Sequence, residues 1–178
     1  KGTIEPKHLL WVIVEDLGID FLKSKIVRKL DGIKLAPFYG CYIVRPSKAL
    51  GLDKNPNRKQ ALEEVIEAVG GEVVDFPGKT LCCGFPILTI NPENSLKMVS
   101  NHTLDAKQSG ADAMVTPCPL CHLNLDGYQP KAAASVKQDI DLPIIHLPQL
   151  VGLALGIKPE DMRLNKHIVS TKKLLSEL

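Results

Sequence analysis

Cys41, Cys82, Cys83, Cys118 and Cys121 are all the cysteines of the chain. They run as one cysteine, forty residues, an adjacent pair, thirty-four residues, and Cys-Pro-Leu-Cys. A Cys-x-x-Cys motif serves metal binding or redox chemistry, because two thiols so spaced can face one site. An adjacent pair is harder to use around a single ion, since neighbouring side chains diverge. A multi-iron centre can give each of the two sulfurs its own iron. The constellation therefore points to an iron–sulfur centre more than to one tetrahedral zinc.

Flanking residues fit a built site. Gly40 precedes Cys41 and Gly84 follows Cys83, so the backbone can turn tightly or approach a bulky group. Cys118 stands where a helix N-cap would, with Pro119 at the first helical position, and a helix N-terminus stabilises the thiolate that binds metal. Cys121 lies one turn further on the same face. His122 follows it, and His146 ends a predicted strand. Either histidine could ligate, donate to a cluster sulfide or move protons, or simply be a hydrogen-bonded structural residue. His8, His102 and His167 lie on helical segments and read as surface or packing residues. Arg45 and Lys79 lie near the cysteines and would offset the charge of several thiolates, or be ordinary solvated cations.

These residues need a scaffold, and the apolar pattern supplies one. Residues 4–30 read as helical: Leu9, Leu10, Ile13, Val14 and Leu17 share a face up to Gly18, and a second short helix covers 20–30. Strands are expected at 33–39, 73–76, 113–116 and 143–146, with Pro37 arguing for an edge position or a break in the first. Helices are expected between them. Asn55-Pro56 and Asn91-Pro92 mark two starts, Gly70 and Gly110 two ends, and further helices cover 119–126 and 147–155. Residues 127–141 read as a loop or weak helix, and 160–178 as a charged, partly exposed helix. The predicted fold class is α/β, with a mainly parallel sheet of about four strands in βαβ units behind an N-terminal helical segment. Cys41, Cys82-Cys83 and Cys118 each follow a strand. They should meet at the carboxyl edge, where open α/β sheets bind ligands.

Composition bounds the function. The chain has 178 residues, 44% hydrophobic and 24% charged, enough for one domain or one domain with an appended segment. A net charge of +2 gives no argument for a nucleic-acid partner, and no apolar run reaches the length of a membrane span. Without a secretory signal pattern, free thiols in a reducing compartment are expected, which places the protein in the cytoplasm. The chain opens at Lys1, as a piece of a longer protein, a processed chain or a trimmed one would.

Several motifs together resemble a known family. Tyr39-Gly40-Cys41, Arg45-Pro46, Cys82-Cys83-Gly84, Cys118-Pro119-Leu120-Cys121-His122 and His146-Leu147-Pro148-Gln149-Leu150 look like the cysteine-rich CCG domain. Most of the chain is similar to the C-terminal half of the heterodisulfide reductase B subunit. The resemblance implies a redox subunit that reduces a disulfide or oxidises thiols. It implies a noncubane 4Fe–4S cluster held by Cys41, Cys82, Cys83, Cys118 and Cys121; His146 and His122, from their own positions, are the catalytic candidates beside it. It also implies partners: a second CCG domain, a ferredoxin-like iron–sulfur subunit and a flavin-containing subunit. Some CCG motifs bind zinc, so an electron-relay or zinc-binding structural module is the alternative. The spacings of forty and thirty-four sit at the edges of the family pattern, and Phe85 stands where a small residue is common. The expected division is a helical segment at 1–30, the CCG domain at 31–158 and a helical tail at 159–178.

Overall fold

The computed structural model describes residues 2–4 and 6–178. Lys1 and Glu5, which fall in the predicted N-terminal segment, lie outside the described residues. Helix α1 (Leu9–Trp11) runs into a π-helical turn (Val12–Leu17), ended by Gly18 at φ +84°. Helix α2 is Ile19–Lys25. It stops earlier than the predicted 30, and residues 26–33 form a loop that docks through Val27 and Arg28 N–H groups on the Ala154 carbonyl.

Four strands follow, β1 (Lys34–Pro37), β2 (Glu72–Val73), β3 (Ala113–Thr116) and β4 (Ile144–His146), all parallel in the order β2-β1-β3-β4. Between and after them lie α3 (Ala61–Ala68), α4 (Pro92–Gln108), α5 (Pro119–Gly127), α6 (Gln129–Val136), α7 (Leu147–Ala154) and α8 (Lys172–Ser176). The predicted fold class holds.

Side-chain alternation sorts the core into two layers, as a sheet covered on both faces requires. Leu35, Ala113, Val115 and Ile145 point to one face, against Leu10, Leu62, Ile66, Leu150 and Leu153 of α1, α3 and α7. Ala36, Met114 and Ile144 point to the other, against Val99, Leu125 and Ala132 of α4, α5 and α6. The chain steps from β1 outward to β2, then back across β1 to β3. Right-handed crossovers put α3 and α4 on opposite faces when the direction of winding reverses. The crevice where the two layers part therefore opens at the carboxyl ends of β1 and β3.

Two local expectations are corrected and one open choice is resolved. Pro37 is not on an edge strand, because β1 pairs on both sides; it is instead the residue at which the strand ends, the break that is the other alternative. The carbonyls of Ile33 and Leu35 accept from Glu72 and Val74, whereas Phe38 N–H donates to Val115 on β3. The Pro37 nitrogen thus faces the side that β2 has just left, and its missing donor costs little. Residues 127–141 contain a defined helix, α6, pinned by buried Gln129, whose amide bonds the Leu125 carbonyl and both backbone groups of Leu142. The tail is not one exposed helix. A 3-10 turn (Leu164–Lys166) and α8 flank a loop whose Ile168 and Val169 N–H groups donate to the Asp126 carboxylate at 2.9 and 3.0 Å. Leu164 and Leu174 are core residues.

Arg58 staples the N-terminal helix to the body. Its guanidinium bonds the Glu15 carboxylate, donates to the Leu50 carbonyl at 2.8 Å and stacks 5.0 Å from the Trp11 ring centre. That guanidinium, with Lys7, holds the Glu15 carboxyl down to about 2. A depressed carboxyl stabilises the fold above its ordinary value, and the contribution disappears as pH falls toward the folded-state value. Arg58→Ala should cost about 1–2 kcal/mol at neutral pH, from the ion pair and the cation–π contact together. Urea melts should show the gap between variant and parent narrowing below about pH 4, and an unchanged gap would remove Glu15 from the account.

Candidate metal centre

Five thiols reach one crevice from three loops. The first loop leaves β1 through Tyr39-Gly40, whose N–H groups both donate to the Lys79 carbonyl, at 2.8 and 3.3 Å. That tie joins the Cys41 turn to the loop carrying the adjacent pair. Buried Tyr39 is fixed by its hydroxyl, which donates to Glu63 and accepts from Leu62 N–H at 2.9 Å. Gly40 sits at φ +69°, and a side chain there would put Cβ 2.7 Å from the Cys121 sulfur. The glycine is needed for both reasons: a left-handed backbone and close approach to a sulfur.

The second loop turns at Gly84, with φ +93°, and its N–H points to the Cys82 sulfur at 3.4 Å. A Cβ at Gly84 would meet Ser95 at 2.9–3.1 Å, so the pair lies hard against α4. The third loop begins α5 as predicted: Cys118 is the extended N-cap residue and Pro119 the first helical one. Cys83 and Cys121 are buried, while Cys41, Cys82 and Cys118 are half-buried at the mouth. Exposed Tyr42, Leu81 and Leu120 flank them in sequence.

All five thiols are free, and they feel one another. Cys121 lies within hydrogen-bonding reach of Cys118 and Cys83, and Cys41 within reach of Cys82. The Cys121 thiol, helped by the backbone at the start of α5, lowers the Cys118 thiol to about 6. Cys83 is lowered by the same donor, and Cys121 itself is pushed well up by serving both neighbours. Burial, then the charges of Cys82 and Cys83, pushes Cys41 up. Without a cation, five sulfurs this close cannot all ionise. Among the described residues, no three thiol, imidazole or carboxylate groups are arranged to hold a single metal ion.

The nearby cations are engaged elsewhere. Lys79 pairs with Asp75 at 2.7 Å and Glu63 at 3.2 Å, and Arg45 donates to the Thr80 carbonyl at 2.7 Å. The histidines form a row. His122 lies 5.8 Å from His146 and 4.8 Å from His167, ring centre to ring centre. His122 Nε2 faces the Ile144 carbonyl at 3.2 Å and His146 Nε2 the Pro117 carbonyl at 3.3 Å. A carbonyl only accepts, so each Nε2 carries the proton. Burial lowers both pKa values and keeps the rings neutral. His8 caps α1, with Nδ1 accepting from Leu10 N–H, and His167 is tied to Gln149.

Two residues near the pair carry no motif. His102 on α4 bonds the Cys82 carbonyl at 2.9 Å, and Asn124 on α5 bonds the Cys83 carbonyl at 2.7 Å. Their only sequence signal is position. His102 falls on the buried stripe of α4 with Val99, Thr103 and Ala106, and Asn124 is one turn beyond Cys121.

Sheet, crevice and cysteine pattern define a cysteine-rich α/β domain. The family profile described as "CCG: Cysteine-rich domain" matches residues 35–126, and the chain belongs to that family. Among its relatives, the 8-methylmenaquinol:fumarate reductase membrane anchor subunit of Wolinella succinogenes is 40% identical over 98% of this chain and 60% of its own length. The B subunit of the ferredoxin/F(420)H(2)-dependent CoB-CoM heterodisulfide reductase of Methanosarcina acetivorans is 32% identical across this whole chain and 59% of its own. A protein of Archaeoglobus profundus that is like the heterodisulfide reductase B subunit is 32% identical over 90% of this chain and 54% of its own. The chain thus spans about 60% of the length of the first two relatives. A solved structure of a Helicobacter pylori protein shares the fold, with TM-score 0.65 and 16% identity over 85% of this chain and 28% of that one. Among the described residues, no helix is long and apolar enough to cross a membrane.

The thiol environments set an order of reactivity. In metal-free reduced protein, iodoacetamide should label Cys118 first near neutral pH, with a midpoint near 6. Cys121, buried and raised, should label last. Peptide mapping against pH checks the order, and equal labelling of Cys118 and Cys121 would contradict the shared-proton arrangement.

Proposed function

We propose that this chain is the redox module of a heterodisulfide-reductase-like complex, an oxidoreductase acting on disulfide and thiol sulfur. The observation that carries the reading is the delivery of five free thiols, one adjacent pair among them, to the switch point of a parallel sheet. The donor set is all sulfur, spread over three loops, with glycine backbone packed against one sulfur. Such a set fits a noncubane 4Fe–4S cluster better than one zinc ion. Cys41, Cys82, Cys83, Cys118 and Cys121 would hold it, within a functional unit at 31–158 separate from the segments 1–30 and 159–178. When bound, the cluster would supply electron transfer to or from substrate sulfur.

The chain's own residues frame that chemistry. Buried Cys83 and Cys121 form the dry floor, and Cys41, Cys82 and Cys118 form a mouth that a disulfide could enter. His146 and His122, neutral and with Nε2–H on backbone carbonyls, are placed to hold or pass the protons that thiolate products need. The remaining length of the relatives suits a second CCG domain facing this one, with ferredoxin-like and flavin-containing subunits bringing electrons. Free thiols suit the reducing cytoplasm.

The 40% identity to the fumarate reductase anchor favours a second reading. In it the same site exchanges electrons with a quinol-linked complex and acts on no disulfide. Assays of the native complex with a disulfide and with a menaquinol analogue separate the two.

Anaerobic preparation tests the centre itself. About four irons and matching acid-labile sulfide per chain are expected, and one zinc with no sulfide would overturn the reading. Cys41→Ser, Cys82→Ser and Cys83→Ser should each lower iron content and change the cluster spectrum. His146→Ala should keep its iron and lose about a hundredfold in turnover with the intact complex, and undiminished turnover would remove it from catalysis.

A further inference from the structure

The adjacent pair poses a mechanical problem. Two neighbouring thiols must be aimed at different points, and the peptide between them must hold still. Loop backbone alone does this poorly. Here the two carbonyls of the pair are taken by two different helices.

His102 reaches from α4 to the Cys82 carbonyl at 2.9 Å. Since a carbonyl only accepts, Nε2 carries the proton, and Nδ1 is left buried with no partner. Asn124 reaches from α5 to the Cys83 carbonyl at 2.7 Å, and its Nδ2 also lies 3.4 Å from the Ser95 hydroxyl. The Asn124 Oδ1 is likewise buried and unpaired. Both side chains are nearly or wholly buried, at 5% and 0% exposure. A buried polar group that leaves half its capacity unused is costly, so the half that is used should matter.

The geometry links the clamp to the other cysteines. Asn124 is three residues beyond Cys121 on the same helix, so its bond to Cys83 sets the position of Cys83 relative to Cys121. Those two sulfurs are within hydrogen-bonding reach. His102 depends in turn on Gly78. A Cβ at that position would lie 2.5 Å from His102 Nδ1 and 2.8 Å from the Phe76 ring, with no room for any side chain. Phe38 closes the other side, 5.2 Å from the imidazole.

We infer that His102 and Asn124 are positioning residues that fix two successive peptides, Cys82–Cys83 and Cys83–Gly84, so that the two sulfurs of the pair are held at different points of the proposed centre, with Gly78 as the space that lets His102 reach. The inference rests on the proposed cluster. Neither residue touches the metal. Each holds a ligand's backbone, and such supporting contacts tune affinity strongly.

The test compares wild type with His102→Leu, Asn124→Leu and Gly78→Ala, after anaerobic reconstitution with iron and sulfide. Each variant should lose iron to bathophenanthroline about tenfold faster or more and show an altered electron paramagnetic resonance spectrum. His102→Gln, which keeps an amide donor near the Nε2 position, should stay within about twofold of wild type. Gly78→Ala keeps both His102 and Asn124 in the sequence and crowds only the imidazole, so it still tests the clamp if either leucine variant fails to fold. Variants that fold, release iron at the wild-type rate and keep the wild-type spectrum would overturn the inference. If wild type itself takes up no iron and sulfide, the cluster reading fails and the clamp is judged on metal-free protein. There, iodoacetamide should label Cys82 and Cys83 about fivefold faster than in wild type in His102→Leu and Gly78→Ala, with Cys118 unchanged, and wild-type rates at Cys82 and Cys83 would overturn it.

Discussion

The reversal of winding at β1 governs the rest of the molecule. β1 takes β2 on one side and β3 on the other, and α3 and α4 cover opposite faces, as right-handed crossovers require when the winding reverses. Where the helical layers part, the carboxyl ends of β1 and β3 are left uncovered. A chain that ends its strands in cysteine loops will deliver sulfur there whatever the loops contain. The finer fit comes from close backbone approach. Gly40 lies against the Cys121 sulfur, Gly84 against Ser95, and the Lys79 carbonyl collects the N–H groups of Tyr39 and Gly40.

Electrostatics then makes the site unsatisfied by itself. Cys118 gains from the Cys121 thiol and the start of α5, and Cys121 is driven the other way by serving two neighbours. Lys79 is spent on Asp75 and Glu63, and Arg45 on a carbonyl. Neither cation is left over to compensate further thiolates at the mouth. Metal ligation demands deprotonated sulfur, so a positively charged centre would supply the charge that the surrounding side chains withhold and would release protons as it binds.

Strand and helix identities were readable because short apolar runs and capping residues mark them. The apolar runs of β1 and β3 and the Asn91-Pro92 start identify elements that the structure contains, whereas Asn55-Pro56 opens a 3-10 turn (Pro56–Lys59) ahead of α3. The cysteine positions at strand ends followed directly. Strand order did not, since nothing local says that β3 returns to the far side of β1. Pro37 misled for that reason: a proline is read as an edge signal, yet here it occupies the last ladder position, beside a strand that has already left. The tail misled because its charges suggested solvent, while Asp126, on a distant helix, accepts two of its N–H groups. His102 and Asn124 were invisible as site residues because what they bind is backbone, and a backbone carbonyl leaves no mark in sequence.

The outer strands, β2 and β4, are only two and three residues long. A sheet normally risks pairing its open edges with whatever chain drifts by, and long flat edges are where aggregation begins. These edges offer almost no free backbone to template on. The sheet can carry a wide, reactive opening at one end and still resist growing sideways into fibrils or swapped strands. Contact with other proteins is left to side chains and helices, where shape and charge can discriminate between partners.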